Sequence, residues 1–374
     1  MRCHPFAMES RLMPAPPRKR PSKPARPGAG AAPSRARRQP LLVDLALQGG
    51  GAHGAFTWGV LDRLLEEEWL RFDGISGTSA GAMNAPVLVD GLARGGREGA
   101  QQALARFWRA VSDAARFSPL QRGPLDVMLG RWSLEGSPMF LGMDLVSRLW
   151  SPYDLNPFGI NPLRDILEEA IDFEALANSD TRLFITATNV RTGRGRVFRN
   201  AELSPDVLLA SACLPNMFQA VELDGEYYWD GGYSGNPTIT PLVHDCDSND
   251  TILVAINPVE REGRPTTARE ILNRINEVSF NAGLLKELRM IAMLRQVADA
   301  GNCMGARWAR MRIHLVRNEL AAELDSSSKM NAEWAFLTML HAAGRRAAEA
   351  FLARDGGNLG KRSSVDLDVL LEGV

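Results

Sequence analysis

Residues 41–85 read LLVDLALQGGGAHGAFTWGVLDRLLEEEWLRFDGISGTSAGAMNA, and this stretch limits the folds open to the chain more than any other. Leu41 to Leu47 is a short aliphatic run that predicts a buried strand, and a glycine turn follows it. From Ala55 to Glu67 the apolar Phe56, Val60, Leu61, Leu64 and Leu65 fall at helical spacing. A second short strand, Phe72 to Ser76, leads into Gly77-Thr78-Ser79-Ala80-Gly81 and a helix of small residues. Two strand-to-helix turns therefore stand side by side. One offers bare backbone amides and the other a hydroxyl, which is equipment for acyl transfer.

The serine turn follows the pattern G-x-S-x-G. A tight turn forces strained backbone angles on the serine, so Gly77 and Gly81 must lack side chains for strand and helix to pass close by. Ser79 then projects at the positive end of the next helix, where developing negative charge is favoured. Glycine- and serine-rich turns match this pattern by accident, so the glycine turn matters as the second observation. A tetrahedral oxyanion needs fixed donors, and the unshielded amides of Gly50 and Gly51, in a turn completed by Gly49 and Gly54, suit that job. The rival reading of Gly49-x-Gly51-x-x-Gly54 is a dinucleotide fingerprint. That motif needs an acid at the far end of the second strand. Asp73 lies at the start of that strand, and the serine turn occupies its far end.

The first 40 residues differ from the rest, with ten Lys/Arg, nine prolines and a single acid, Glu9. They show no periodicity and predict a disordered basic tail, or a start at Met8 or Met13. The formal charge of the whole chain, −1, thus conceals a basic arm on a body of net charge −10. Such an arm can touch anionic lipid, although a solvated tail is the commoner use. There is no apolar stretch of signal-peptide or membrane-spanning length, so a cytoplasmic protein is expected, at most peripheral on a membrane. The cysteines Cys3, Cys213, Cys246 and Cys303 have no C-x-x-C spacing, which argues against a disulfide framework or zinc site. No D-x-D-x-D-G loop calls for calcium.

Residues 117–161 are dense in Pro, Gly, Met and aromatics with little periodicity, and predict either a lid or acyl-chain channel over the serine or core contacts under a long connection. Pro162 to Ala177 reads as a helix and Arg182 to Asn189 as a strand returning through Arg196 to Phe198. Ser204-Pro205 opens a helix, and Asp224-Gly225 marks a hairpin that delivers the chain to Asp230-Gly231-Gly232. Thr251 to Ile256 and Arg312 to Val316 read as further strands, with long amphipathic helices over Ala268 to Ala298 and Ala332 to Leu352. The alternation predicts an α/β fold with a mainly parallel sheet covered on both faces. The expected organisation is a tail over 1–40, a catalytic domain over 41–260, and a strand and helices over 261–374 packed on the same domain.

A serine nucleophile needs a base within reach. Of the five histidines, His4, His53, His244, His314 and His341, none has a motif context of its own. The combination resembles the patatin-like acyl hydrolases, lipid hydrolases that use a serine and an aspartate without histidine. The resemblance rests on the turn Gly49 to Gly54, the elbow Gly77 to Gly81, Asp230-Gly231-Gly232, and Ala210-Ser211-Ala212-Cys213-Leu214-Pro215, over roughly residues 41–260. It implies a three-layer fold, Ser79 as nucleophile, Asp230 as general base, an oxyanion hole at Gly49, Gly50, Gly51 and Gly54, and a motif-supporting Gly231 and Gly232. It implies further a lipid or phospholipid substrate; no cofactor, metal or nucleic-acid partner is expected from the sequence. The aromatic flank Tyr227, Tyr228 and Trp229 is expected to shield Asp230 and raise its pKa.

The family usually carries Arg or Lys where this chain has His53, and a gain in activity below the histidine pKa is the expectation if that ring matters. Two rivals stay open: an esterase triad with His244 or His314 as base and Asp230 as its orienter, and a non-catalytic lipid- or nucleotide-binding protein.

Overall fold

The computed structural model describes residues 38–116, 118, 120–297 and 303–370. The expected tail, apart from residues 38–40, lies outside these, as do Cys3, His4, Phe117 and Ala298. The chain divides into two units, Met1–Arg38 and Gln39–Val374, and the second is described below.

Strand β1 (Leu41–Leu47) runs through the middle of the sheet. Successive side chains of a strand point to opposite faces. Val43, Leu45 and Leu47 accordingly enter one apolar core, and Ala46 enters the other. Burial on both faces is why the run is aliphatic instead of alternating. β2 (Leu70–Gly77), β3 (Arg182–Asn189), β7 (Asp250–Ala255) and β8 (Arg312–Arg317) join it in the order β8-β7-β1-β2-β3, all parallel. An antiparallel group completes the sheet: β4 (Gly195–Arg199) and β6 (Glu226–Asp230) both pair with β3, and β5 (Val221–Leu223) pairs with β6. Asp224 and Gly225, at φ 54° and 77°, make the β5–β6 turn. These are the left-handed angles a two-residue hairpin of matching twist requires.

Helices cover both faces, giving three layers. On one side α1 (Gly54–Leu64), α2 (Ala80–Ala115), α4 (Pro205–Ser211) and α6 (Trp334–Asp355) bury residues such as Phe56, Val60, Leu88, Leu208, Phe336 and Leu340. On the other, α5 (Ala268–Val297) buries Leu284, Leu288 and Ile291 against Phe184, Leu253 and Ile313. Each such side chain contributes about 1.5–3 kcal/mol on leaving water. Helix α3 (Pro138–Leu149) lies in the segment read either as a lid or acyl-chain channel or as core contacts under a long connection.

Two element boundaries differ from the sequence reading. The small-residue helix expected after the serine turn runs on from Ala80 to Ala115, through a kink where Gly95 and Gly96 leave helical angles. The single helix expected over Pro162 to Ala177 is two, Leu163–Ala170 and Phe173–Ala177. Asp172 leaves helical angles between them and its carboxylate caps Ala175 N at 3.0 Å. Among the described residues no helix is long and apolar enough to cross a membrane.

Asp44 is the one polar residue of β1 and is fully buried. Its Oδ1 accepts from Gly74 N at 3.0 Å, and its Oδ2 has no hydrogen-bond partner among the described residues. Burial, reinforced by the charge of Asp73, pushes the carboxyl up to about 8. The folded chain therefore holds a proton between the unfolded value of 3.8 and about 8 that the unfolded chain has released, so stability falls as pH rises through that window. Asp44→Asn keeps the acceptor for Gly74 and removes the titration. It is expected to raise the melting temperature by several degrees at pH 8.5 and by much less at pH 5. A gain independent of pH would assign the effect to something other than ionisation.

Candidate active site

β2 ends at Gly77, and the chain turns sharply into α2 through Thr78 and Ser79. Ser79 has φ 54° and ψ −118°, angles that cost a non-glycine residue on the order of 1–3 kcal/mol. The elbow closes because Gly77 and Gly81 have no side chains: a Cβ on Gly77 would stand 2.5 Å from Gly81 O, and one on Gly81 would strike Leu47 O. Other elements hold the strained turn. Ser211, on α4, accepts from Ser79 N at 3.0 Å and donates its own hydroxyl to Thr186 O at 2.7 Å. Thr78 Oγ1 donates to Gly235 O at 2.7 Å.

The register of β3 explains how Asp230 reaches this turn. Ile185 pairs with Gly77 on one side and Phe198 on the other, while Ala187, two residues on, pairs with Asp230 and Arg196. β4 takes one edge of β3 throughout, so β6 occupies the edge that β2 vacates at its elbow. Asp230 is thereby level with the residues just past Gly77. A Cβ on Gly231 would lie 3.0 Å from Thr78 Cγ2, which fixes the same proximity from the next residue along.

Asp230 is 1% exposed. Its Oδ1 accepts from Gly232 N at 2.7 Å, and its Oδ2 is left with no partner of regular hydrogen-bond geometry among the described residues. Burial pushes the carboxyl up to about 7, against the downward pull of the Gly232 amide, the Ser79 hydroxyl and the charge of Lys329. The expected aromatic shield is only partly there. Tyr228 is buried, but Tyr227 is half exposed, and the cover near Gly232 comes from Phe280 on α5.

The glycine turn faces the elbow: a Cβ on Gly49 would sit 2.5 Å from Ser79 Cβ. The amides of the four glycines in this turn differ in what they meet. Gly49 N is engaged by Asn236 Oδ1 at 2.6 Å, and Gly54 N by the carbonyls of Gly51 and Ala52. Gly54 serves packing instead, against Ala80 and Trp108. Among the described residues the amides of Gly50 and Gly51 have no acceptor. Gln48 and Asn257 brace the turn: Gln48 Oε1 accepts from Ile256 N at 2.9 Å and Asn257 N at 3.0 Å, and Asn257 Nδ2 donates to Gly49 O at 2.6 Å.

His53 is buried, with Nε2 2.8 Å from Ser328 Oγ. Burial, helped by the charges of Lys329 and Arg261, pushes it down to about 3. The ring is therefore neutral near pH 7, so an activity gain on its protonation is expected only far below the ordinary histidine range, and its Nε2 links the glycine turn to the Ser327–Met330 turn. Of the other described histidines, His314 bonds Asp250 and Ser364, His341 bonds Asp62, and His244 stands edge-on to Trp308. None hydrogen-bonds Ser79 or Asp230.

The family model for patatin-like phospholipases matches residues 45–243, which include both turns and Asp230. The chain belongs to the patatin-like phospholipase family. By its description that family is one of phospholipases. An uncharacterized protein of Escherichia coli (strain K12), YjjU, is 28% identical over 204 residues, or 52% of this chain and 47% of that protein. The chain thus spans about half the length of that relative. The crystal structure of VipD from Legionella pneumophila is similar over 82% of this chain and 67% of its own, at 14% identity and a TM-score of 0.33, too low to add to the fold described above.

Several site residues carried no signal in the sequence. Asn236, Asn257 and Lys329 stand alone outside any spacing pattern, and only the folded chain brings them to the glycine turn. Ser211 did lie within a noted motif, but nothing in sequence said that its hydroxyl would hold the amide of Ser79.

Proposed function

We propose that this member of the family hydrolyses acyl esters of lipids with Ser79 as nucleophile and Asp230 as its general base. The observation that carries the reading is the unpartnered, desolvated Asp230 Oδ2 beside a serine held at φ 54°. Ser79 Oγ attacks the ester carbonyl while its proton passes to Asp230. The carbonyl oxygen becomes an oxyanion received by the Gly50 and Gly51 amides. Collapse breaks the ester C–O bond, and the departing alcohol takes the proton from Asp230. A water molecule then gives Asp230 a proton as it attacks the acyl-serine, and the fatty acid leaves with Ser79 restored. A base near pKa 7 is well matched to this double duty, because it is both basic enough to take the proton and acidic enough to return it.

The segment read as a lid supports a lipid substrate. Met128, Leu149 and Phe158 expose 75%, 67% and 87% of their surface, far more than isolated apolar residues on a soluble face need. Leu134 N donates to Ser327 Oγ at 2.9 Å, and Gln219 Nε2 donates to Asn156 O at 2.6 Å. These bonds tie the segment to the Ser327–Met330 turn, which lies against the glycine turn at Gly51, and to the chain after α4.

Incubating the full chain with a fluorophosphonate probe and mapping the adduct by mass spectrometry tests the nucleophile. A single adduct on the peptide containing Ser79 is expected. An unlabelled protein, or an adduct on another residue, would remove the reading. Short-chain esters and phospholipid vesicles offered in parallel then define the substrate.

A further inference from the structure

Lys329 is half-buried and packs against the glycine turn. Its carbonyl abuts Gly51, leaving no room for a side chain there, and Gly51 adopts φ 58°. Its Nζ donates to Asn257 Oδ1 at 2.8 Å, the same asparagine whose Nδ2 holds Gly49 O. Asn257 Oδ1 is itself 3.5 Å from where a Gly50 Cβ would be. The ammonium is thus seated against the turn that offers the Gly50 and Gly51 amides. Its neighbour Ser328 is anchored to His53 from the same side.

The charges around it are unbalanced. Glu277, 2% exposed on its side chain, is the anion that acts on it most strongly, but it is already shared by Arg261 at 2.8 Å and Arg274 at 3.2 Å. One carboxylate facing two guanidinium groups leaves nothing over to neutralise Lys329. The remaining anion that feels its charge is Asp230. An ammonium in this setting favours negative charge at the two places where the reaction creates or needs it, the ionised Asp230 and the oxyanion.

We infer that Lys329, contributed from outside the matched family region, is an electrostatic positioning residue that holds a positive charge behind the glycine turn and sustains both anions during turnover. The inference rests on the Ser79 and Asp230 reading. Lys329 does not touch the acyl group in that role. It acts through Asp230 and through the field at the Gly50 and Gly51 amides.

The test compares Lys329→Met, Lys329→Gln and Lys329→Arg in the full chain, on a soluble p-nitrophenyl ester between pH 5 and 9, with melting temperatures recorded. Met and Gln are expected to lower kcat about 100-fold with little change in KM. They should also move the acid limb of kcat/KM upward by roughly one pH unit, since a neighbouring cation no longer favours the carboxylate. Melting temperatures should hold or rise, because a charge with a single neutral partner is removed. Arg, which keeps the charge, should recover most of kcat. Wild-type kcat and an unmoved limb in Met and Gln would overturn the inference, as would an Arg variant no better than Met, or loss of folding in both neutral variants. An inactive Ser79→Ala beside unchanged Lys329 variants would sink this inference alone. An active Ser79→Ala would sink the mechanism and this inference with it.

Discussion

Ser79→Ala is expected to lower ester hydrolysis by about 10⁴-fold or more, to the level left by binding and oxyanion donors alone. The fold should not notice. The hydroxyl leaves, but the amide of residue 79 still donates to Ser211 Oγ, and alanine at φ 54° carries the same backbone strain as serine. Asp230 keeps the Gly232 amide on Oδ1. Loss of the Ser79 hydroxyl removes one influence that pulls the Asp230 pKa down, so the carboxyl moves up further. The checks are turnover of a soluble ester, fluorophosphonate labelling and the melting temperature, all on one preparation. Turnover above a tenth of wild type would mean that the acyl group travels through another residue, however well the elbow is formed.

The elements of this site were legible in the sequence to different depths. Local turns were the clearest, because a glycine or a serine is required by the backbone path itself: the elbow at Gly77 to Gly81 and the hairpin at Asp224-Gly225 form where the motifs stood. Strands β1 and β3 span the residues expected of them, β1 because burial on both faces favours an aliphatic run and β3 because apolar and polar residues alternate along much of it. Helix limits were less legible. The kink at Gly95 and Gly96 and the break at Asp172 depend on which face the chain next must cover. What periodicity could not hold was the register of β3, which places Asp230 on the edge β2 abandons. Strand pairing across more than 40 residues is decided by the packing of the whole sheet. The same limit hid Asn236, Asn257 and Lys329, and it concealed that Gly49 would commit its amide to a side chain. A lone polar residue announces its role only when its partners are known.

Asp230→Asn is the second decisive substitution, and its signature lies in pH dependence. Asparagine keeps the size of the side chain and an oxygen for the Gly232 amide, so the turn at Gly231 and Gly232 should persist. If the proposed base is removed in this way, kcat should fall by about 10²- to 10⁴-fold. On the proposed mechanism the wild-type carboxyl must be ionised to accept the serine proton. With a pKa near 7, kcat/KM should climb from pH 5, bend around 7 and level above it. The variant should lose that limb and show a nearly flat residual rate. Stability runs the other way. The unfolded aspartate ionises at 3.8 and the folded one near 7, so between those values the folded chain holds the extra proton and becomes less stable as pH rises. Above about 7 the wild type carries the whole cost of a charge buried at 1% exposure, a cost the neutral amide avoids. Asp230→Asn should therefore melt higher than wild type at pH 8 and nearly level with it at pH 4. A variant that is inactive and also less stable at pH 8 would show that the carboxylate is a structural support. An inactive variant that is more stable there would show that the fold tolerates this strained charge for what it does to Ser79.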